Sequence, residues 1–163
     1  MNIEQCWSYY MKADELNKEG HWPEAHHLYN DVLNYLPGHI EAAVSSESTK
    51  PCQLMCLLNG YRDSTISQSE ILNNLGQRKA AFELLNQTYG YFQFLTLESS
   101  SLVSRLCSEL HNHSEELYRH ISAFCIAQRS AKWMLELKTV EKTHHQFYLL
   151  QSKTHTQLSK ILN

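Results

Sequence analysis

A chain of 163 residues with 42% hydrophobic and 19% charged side chains and a formal charge of −3 has a globular, not a disordered, composition. The charge pattern excludes a nucleic-acid binder, which needs a basic stripe to neutralise phosphates: the densest basic run, Lys132 to Lys142, is interrupted by Glu136 and Glu141. No apolar run approaches the ~18 residues of a membrane helix, so neither nucleic acid nor membrane is an expected partner.

The five cysteines are odd in number and not tightly spaced, unlike a secreted disulfide framework. They read as reduced thiols, mostly in the core. The opening MNIEQCWSYY has no basic start followed by an apolar run, the mark of a secretory leader. The expected compartment is the cytoplasm.

In chain order, a first helix is predicted over 3–18, stopped by Gly20. A second starts at Pro23, well suited to a first helical position, and runs to about Tyr35, stopped by Pro37 and Gly38. A short third covers 39–44, followed by the polar linker SSESTK. A fourth begins near Pro51 and ends at Asn59-Gly60. All three prolines lie in this first third of the chain. Proline costs ~3 kcal/mol inside a helix, so the proline-free remainder favours long helices, predicted over 67–95, 99–129 and 131–162. Ser99, Ser100 and Ser101 read as a turn with a helix cap. No segment shows sustained strand alternation.

Apolar stripes support the last helices. Leu106, Leu110, Leu117, Ile121 and Phe124 share one face, and Trp133, Leu137, Val140, His144, Phe147, Leu158 and Ile161 follow a four-three alternation. Such a period favours packing along a neighbouring helix at a shallow angle. Gln151 and Thr154 weaken the second stripe, which is suited to a bundle edge or to a homodimer through the C-terminal helix.

The stretch from Cys6 to Pro37 resembles a single tetratricopeptide repeat. Tyr9 and Ala13 stand at the first aromatic and first small positions, Leu16 at the next core contact, and Gly20 at the helix end. Trp22, Ala25, Tyr29, Val32, Leu33 and Pro37 follow in register, while Lys12 and Val32 depart from the family's usual leucine and alanine. No second repeat follows after a ~34-residue period: Glu47, Lys50, Asn59 and Asp63 fall where small or aromatic residues belong. A lone hairpin cannot bury its own apolar face, so it must pack on later helices. The fold class expected is all-α, a tetratricopeptide-like hairpin packed on a bundle of long antiparallel helices, with the hairpin and short helix at 1–46 and the bundle at 47–163. The resemblance implies a peptide-holding inner face carrying Trp7, Tyr10, Asp14, Asn17 and Lys18, unless the later helices cover the two rings.

Among residues with chemical potential, Glu24 with His27 and Glu141 with His144 have the Glu-x-x-His spacing of di-iron bundles. Glu109, His113, Glu116 and His120 form a further stripe that also fits solvated i,i+4 pairs. Cys52 and Cys56, four apart, have a geometry able to hold a soft metal but lack the further neighbours of a tetrahedral site, and read as core thiols. No phosphate loop, nucleophile elbow or paired Cys-x-x-Cys occurs. The expected function is therefore a non-catalytic adaptor or chaperone-like module that recognises a peptide or partner helix, with no cofactor and no metal. The rivals are a metal-dependent Glu/His bundle enzyme and a self-associating structural or regulatory protein.

Overall fold

A computed structural model describes residues 1–161, with side chains for 1–153. Among the described residues all regular structure is helical, in the order α1 (Ile3–Lys18), α2 (Trp22–Ser45), α3 (Pro51–Asn74), α4 (Arg78–Leu95), α5 (Ser101–Arg105), α6 (Cys107–Ala127) and α7 (Ala131–Ile161). The protein is all-α, as the sequence indicates. No helix is long and apolar enough to cross a membrane among the described residues. The chain divides into two compact units, Met1–His120 and Ile121–Asn163. The expected division at residue 46 lies inside the first unit, where α2 packs on both α1 and α3.

In the first unit, α1 opens with a capping box: Asn2 Oδ1 accepts the Gln5 N–H at 2.8 Å, and Gln5 Oε1 accepts the Asn2 N–H at 3.2 Å. Ala13 and Ala25 are fully buried and share one cluster with Tyr29 and Ile71, so α1 and α2 approach closely where their side chains are smallest. Of the residues expected to fill the gap between them, Tyr29 is buried and Leu16 and Leu33 are half-buried, but Tyr9 is exposed. Tyr10 packs against the cluster in place of Tyr9, because one residue turns a helix by about 100° and carries the neighbouring ring inward.

Several predicted helix ends move. α2 continues through Pro37 to Ser45, which absorbs the short helix expected over 39–44. The proline costs ~3 kcal/mol, but Leu36 and Ile40 on either side of it are fully buried. At about 1.5–3 kcal/mol for each buried side chain, packing exceeds that cost. α3 likewise passes through Gly60, and α4 through Gly90. The helix expected over 67–95 is in fact two, because the chain turns at Leu75–Gln77.

That turn repeats the one after α1. Gly20 (φ 82°) donates to the Asn17 carbonyl at 3.1 Å and His21 to the Leu16 carbonyl at 2.9 Å. Gly76 (φ 78°) donates to Asn73 at 3.0 Å and Gln77 to Leu72 at 2.8 Å. Both are Schellman closures, in which a left-handed residue lets two terminal carbonyls find donors. The next helices start alike too: the His21 and Gln77 carbonyls each accept, at 3.0 Å, from fully buried Ala25 and Ala81.

Ser100 caps α5, its Oγ accepting the Val103 N–H at 3.5 Å. The helix expected over 99–129 is divided at Leu106, whose φ of −102° and ψ of 13° interrupt it. The predicted stripe survives the break, with Leu106, Leu110, Leu117 and Ile121 buried and Phe124 half-buried. In the second unit, Phe124 and Trp133 meet edge to face at 5.2 Å. Leu137 and Val140 are buried, and His144 and Phe147 half-buried. The remainder of that stripe, Leu158 and Ile161, and the interrupting Thr154 have side chains outside the described residues.

Candidate binding face on three helices

Within the first unit, α1 lies against α3 at one close point. The Trp7 indole sits over Gly60, which has no side chain to displace it. Trp7 and Tyr10 meet edge to face at 5.7 Å, and Tyr10 meets Tyr29 at 6.4 Å. Burial raises the Tyr10 phenol pKa, and the nearby carboxylates of Asp63 and Asp14 add to the shift. Tyr29 is pushed up to about 12, mainly by burial, against the pull of a hydrogen bond with Ser67.

The five residues expected to form an inner face thus separate. Trp7, Tyr10 and Asn17 are half-buried, the rings turned toward α3 and α2. Asp14 is half-buried as well, Lys18 is exposed, and the two pair with each other. That hydrogen bond, with the Asp14 charge, raises the Lys18 pKa. Both line an open groove of about 470 Å³ along α1, with Ser8, Met11, Lys12 and Glu15. Met11 is 64% exposed there, and Lys12 bonds Glu15 at 2.7 Å.

From α3 the face continues to α6 through Arg62. Its Nε donates to Asp63 Oδ1 at 2.9 Å, and Nη2 lies 2.8 Å from the same oxygen. Nη1 donates to His113 Nδ1 at 2.8 Å and lies 3.1 Å from Glu116 Oε2. A guanidinium has no acceptor, so Nδ1 must be the unprotonated nitrogen and Nε2 carries the hydrogen. His113 is only 4% exposed, and its Nε2 finds no hydrogen-bond partner among the described residues. Burial first, then the Arg62 charge, lowers its pKa, opposed by Glu116, Asp63 and Glu109. Phe92 of α4 lies against the imidazole at 5.2 Å.

The sequence reading did not single out Arg62 or Asp63 as site residues. A signal was present, since they are the only charged residues between Lys50 and Glu70. A charged pair in a helix with so few charges, its Arg62 side chain only 19% exposed, needs partners from another element, and α6 supplies them. Of the first Glu-x-x-His pair, His27 lies beside His26 with ring centroids 5.7 Å apart, and it is His26, outside the pair, that accepts from Gln68 Nε2 at 2.7 Å. Among the described residues no three His, Cys, Asp or Glu side chains gather in a metal-binding group.

Comparison with protein-family models, curated proteins and solved structures finds no match for this chain.

Proposed function

We propose that the chain is a non-catalytic, cytoplasmic adaptor or chaperone-like module that holds a peptide or partner helix on the face built by α1, α3 and the start of α6. The carrying observation is the open groove of α1, where exposed Met11 lies among Asp14, Lys18, Lys12 and Glu15. An apolar side chain ringed by charge suits a partner whose apolar anchor is flanked by polar contacts. Along the same face Asp14, Asp63 and Glu116 outnumber Lys18 and Arg62, so a segment carrying a basic residue is favoured. The tetratricopeptide resemblance of the α1–α2 hairpin supports the same use. Trp7 contributes by setting α1 against α3 and Tyr10 by setting it against Tyr29 of α2, while Asn17 is half-buried further along α1.

The test is partner capture from the source cell with the full chain as bait, beside the triple variant Met11→Ser, Asp14→Ala, Lys18→Ala. Partners retained by the native chain and lost by the variant, at unchanged helicity, support the reading. Equal capture by both defeats it.

A second reading, self-association through α7, is favoured by Leu135 and Leu149, large apolar residues exposed on that helix. Light scattering that gives the same mass for the native chain and for Leu135→Lys with Leu149→Lys removes it.

A further inference from the structure

The first two turns of α3 carry three sulfur atoms on one side. Cys52, Met55 and Cys56 stand at spacings of three and four, which places their β-carbons about 5–6 Å apart on one helical face. Both thiols are free and exposed, contrary to the core placement read from the sequence, and Met55 is half-buried beside them. Leu54, Leu57 and Leu58 of the same turns are buried and fix the helix from its other side. The helix start is also held: Pro51 occupies its first turn, and Gln53 Oε1 accepts the Lys50 N–H at 2.8 Å. The site is thus a rigid, solvent-facing set of soft donors.

Two alternatives for such a pair are disfavoured by geometry. A disulfide needs β-carbons about 3.5–4.5 Å apart, closer than an intact helix allows. A zinc ion needs four ligands, and no third His, Cys, Asp or Glu joins the pair among the described residues. A cation bridging two thiolates through bonds of about 2.3 Å each spans the available gap. Thiolate and thioether together select Cu(I), which is content with few ligands.

We propose that Cys52 and Cys56 bind one Cu(I) ion at the surface of α3, with Met55 as a third, weaker donor. Each thiol releases its proton to solvent and donates a sulfur lone pair to the cation. The two thiolates and the monovalent ion leave a net charge of −1 at the site. Copper stays in the +1 state, so no electron changes hands.

The test is an anaerobic titration of the reduced full-length protein with Cu(I), supplied as its acetonitrile complex, against a chromophoric Cu(I) chelator. One ion is retained per chain, with affinity rising with pH because two protons leave, and X-ray absorption reports a sulfur-only shell. Cys52→Ser with Cys56→Ser abolishes retention. Met55→Leu weakens it by at least about tenfold, the effect typical of losing even an outer partner of a metal site. Cys107→Ser leaves it unchanged. Alkylating the two exposed thiols of the folded native chain gives the same loss without any substitution. Retention that survives in the double serine variant, or Zn(II) displacing Cu(I) from the native chain, overturns the proposal.

Discussion

The Trp7 ring lies so close to Gly60 that a β-carbon on residue 60 would stand 2.5 Å from its Cη2 and 2.8 Å from its Cζ3. Alanine gains about 1 kcal/mol over glycine in a helix interior, but forcing a methyl group into a filled contact costs typically 1–3 kcal/mol. A rigid indole cannot fold its edge away, so the second effect wins. Gly60→Ala is expected to lower stability to urea by about 1–2 kcal/mol. Adding Trp7→Leu should recover part of that loss, since the two residues touch and their effects do not add. Full additivity in the double variant would show that the contact does not set the spacing of α1 and α3.

His113 makes stability depend on pH with a defined sign. Its surroundings are Arg62 and Asp63 from α3, Phe92 from α4, and Glu109 and Glu116 from its own helix. Burial and Arg62 hold its folded pKa below the ordinary ~6.5. Between those two values the unfolded chain binds a proton that the folded chain lacks. The stabilisation is therefore complete above pH ~6.5 and is lost as pH falls toward the folded pKa. The chain has ten histidines, so the difference between native chain and His113→Gln isolates this one. That difference should shrink on acidification, by at most ~1.4 kcal/mol per pH unit. A difference constant from pH 8 to 5 would contradict the depressed pKa.

The helical class, the buried stripe of α6 and the Ala13–Ala25 approach were legible because period and side-chain size decide them locally. The helix ends were not, because they depend on what packs behind each residue. Pro37 and Gly60 are strong local stop signals, yet both lie inside helices held by long-range burial. Gly76 is an equally plain signal that does end its helix, with the left-handed φ and Schellman bonds of Gly20 but not one ~34-residue repeat period after it. The candidate face was half legible: Asp14 and Lys18 line its groove, but the covering of Trp7 by α3 depends on a glycine 53 positions later. Arg62 gains its meaning only once α6 is beside it.

The same balance at Pro37 gives a prediction of opposite sign. The proline ring denies α2 a backbone hydrogen bond and crowds the carbonyl of the preceding turn, while Leu36 and Ile40 hold the helix in place. Pro37→Ala restores the bond and removes the crowding. It also frees the unfolded chain, which returns ~0.4–1 kcal/mol to the other side. The net expectation is a gain of about 1–2 kcal/mol, read as a higher urea midpoint with unchanged slope. A loss of stability would mean that α2 needs a bend at this point to reach both α1 and α3.

The left-handed residues Gly20, Gly76 and Arg129 are the positive-φ positions of the described chain. Each follows a helix and precedes another, and Arg129 (φ 49°) donates to the Ile126 carbonyl at 3.2 Å as Gly20 and Gly76 do to theirs. Open space surrounds both glycines, so a substituted alanine meets no neighbour, and only its backbone is strained. Left-handed backbone costs a residue with a β-carbon roughly 1–2 kcal/mol. Gly20→Ala and Gly76→Ala should each destabilise by about 1 kcal/mol, and Arg129→Gly should stabilise by a similar amount, less the entropy that glycine adds to the unfolded chain. Urea melts of the three variants check the signs together. If Arg129→Gly instead destabilises, the arginine side chain holds the α6–α7 turn by a contact that outweighs its backbone strain.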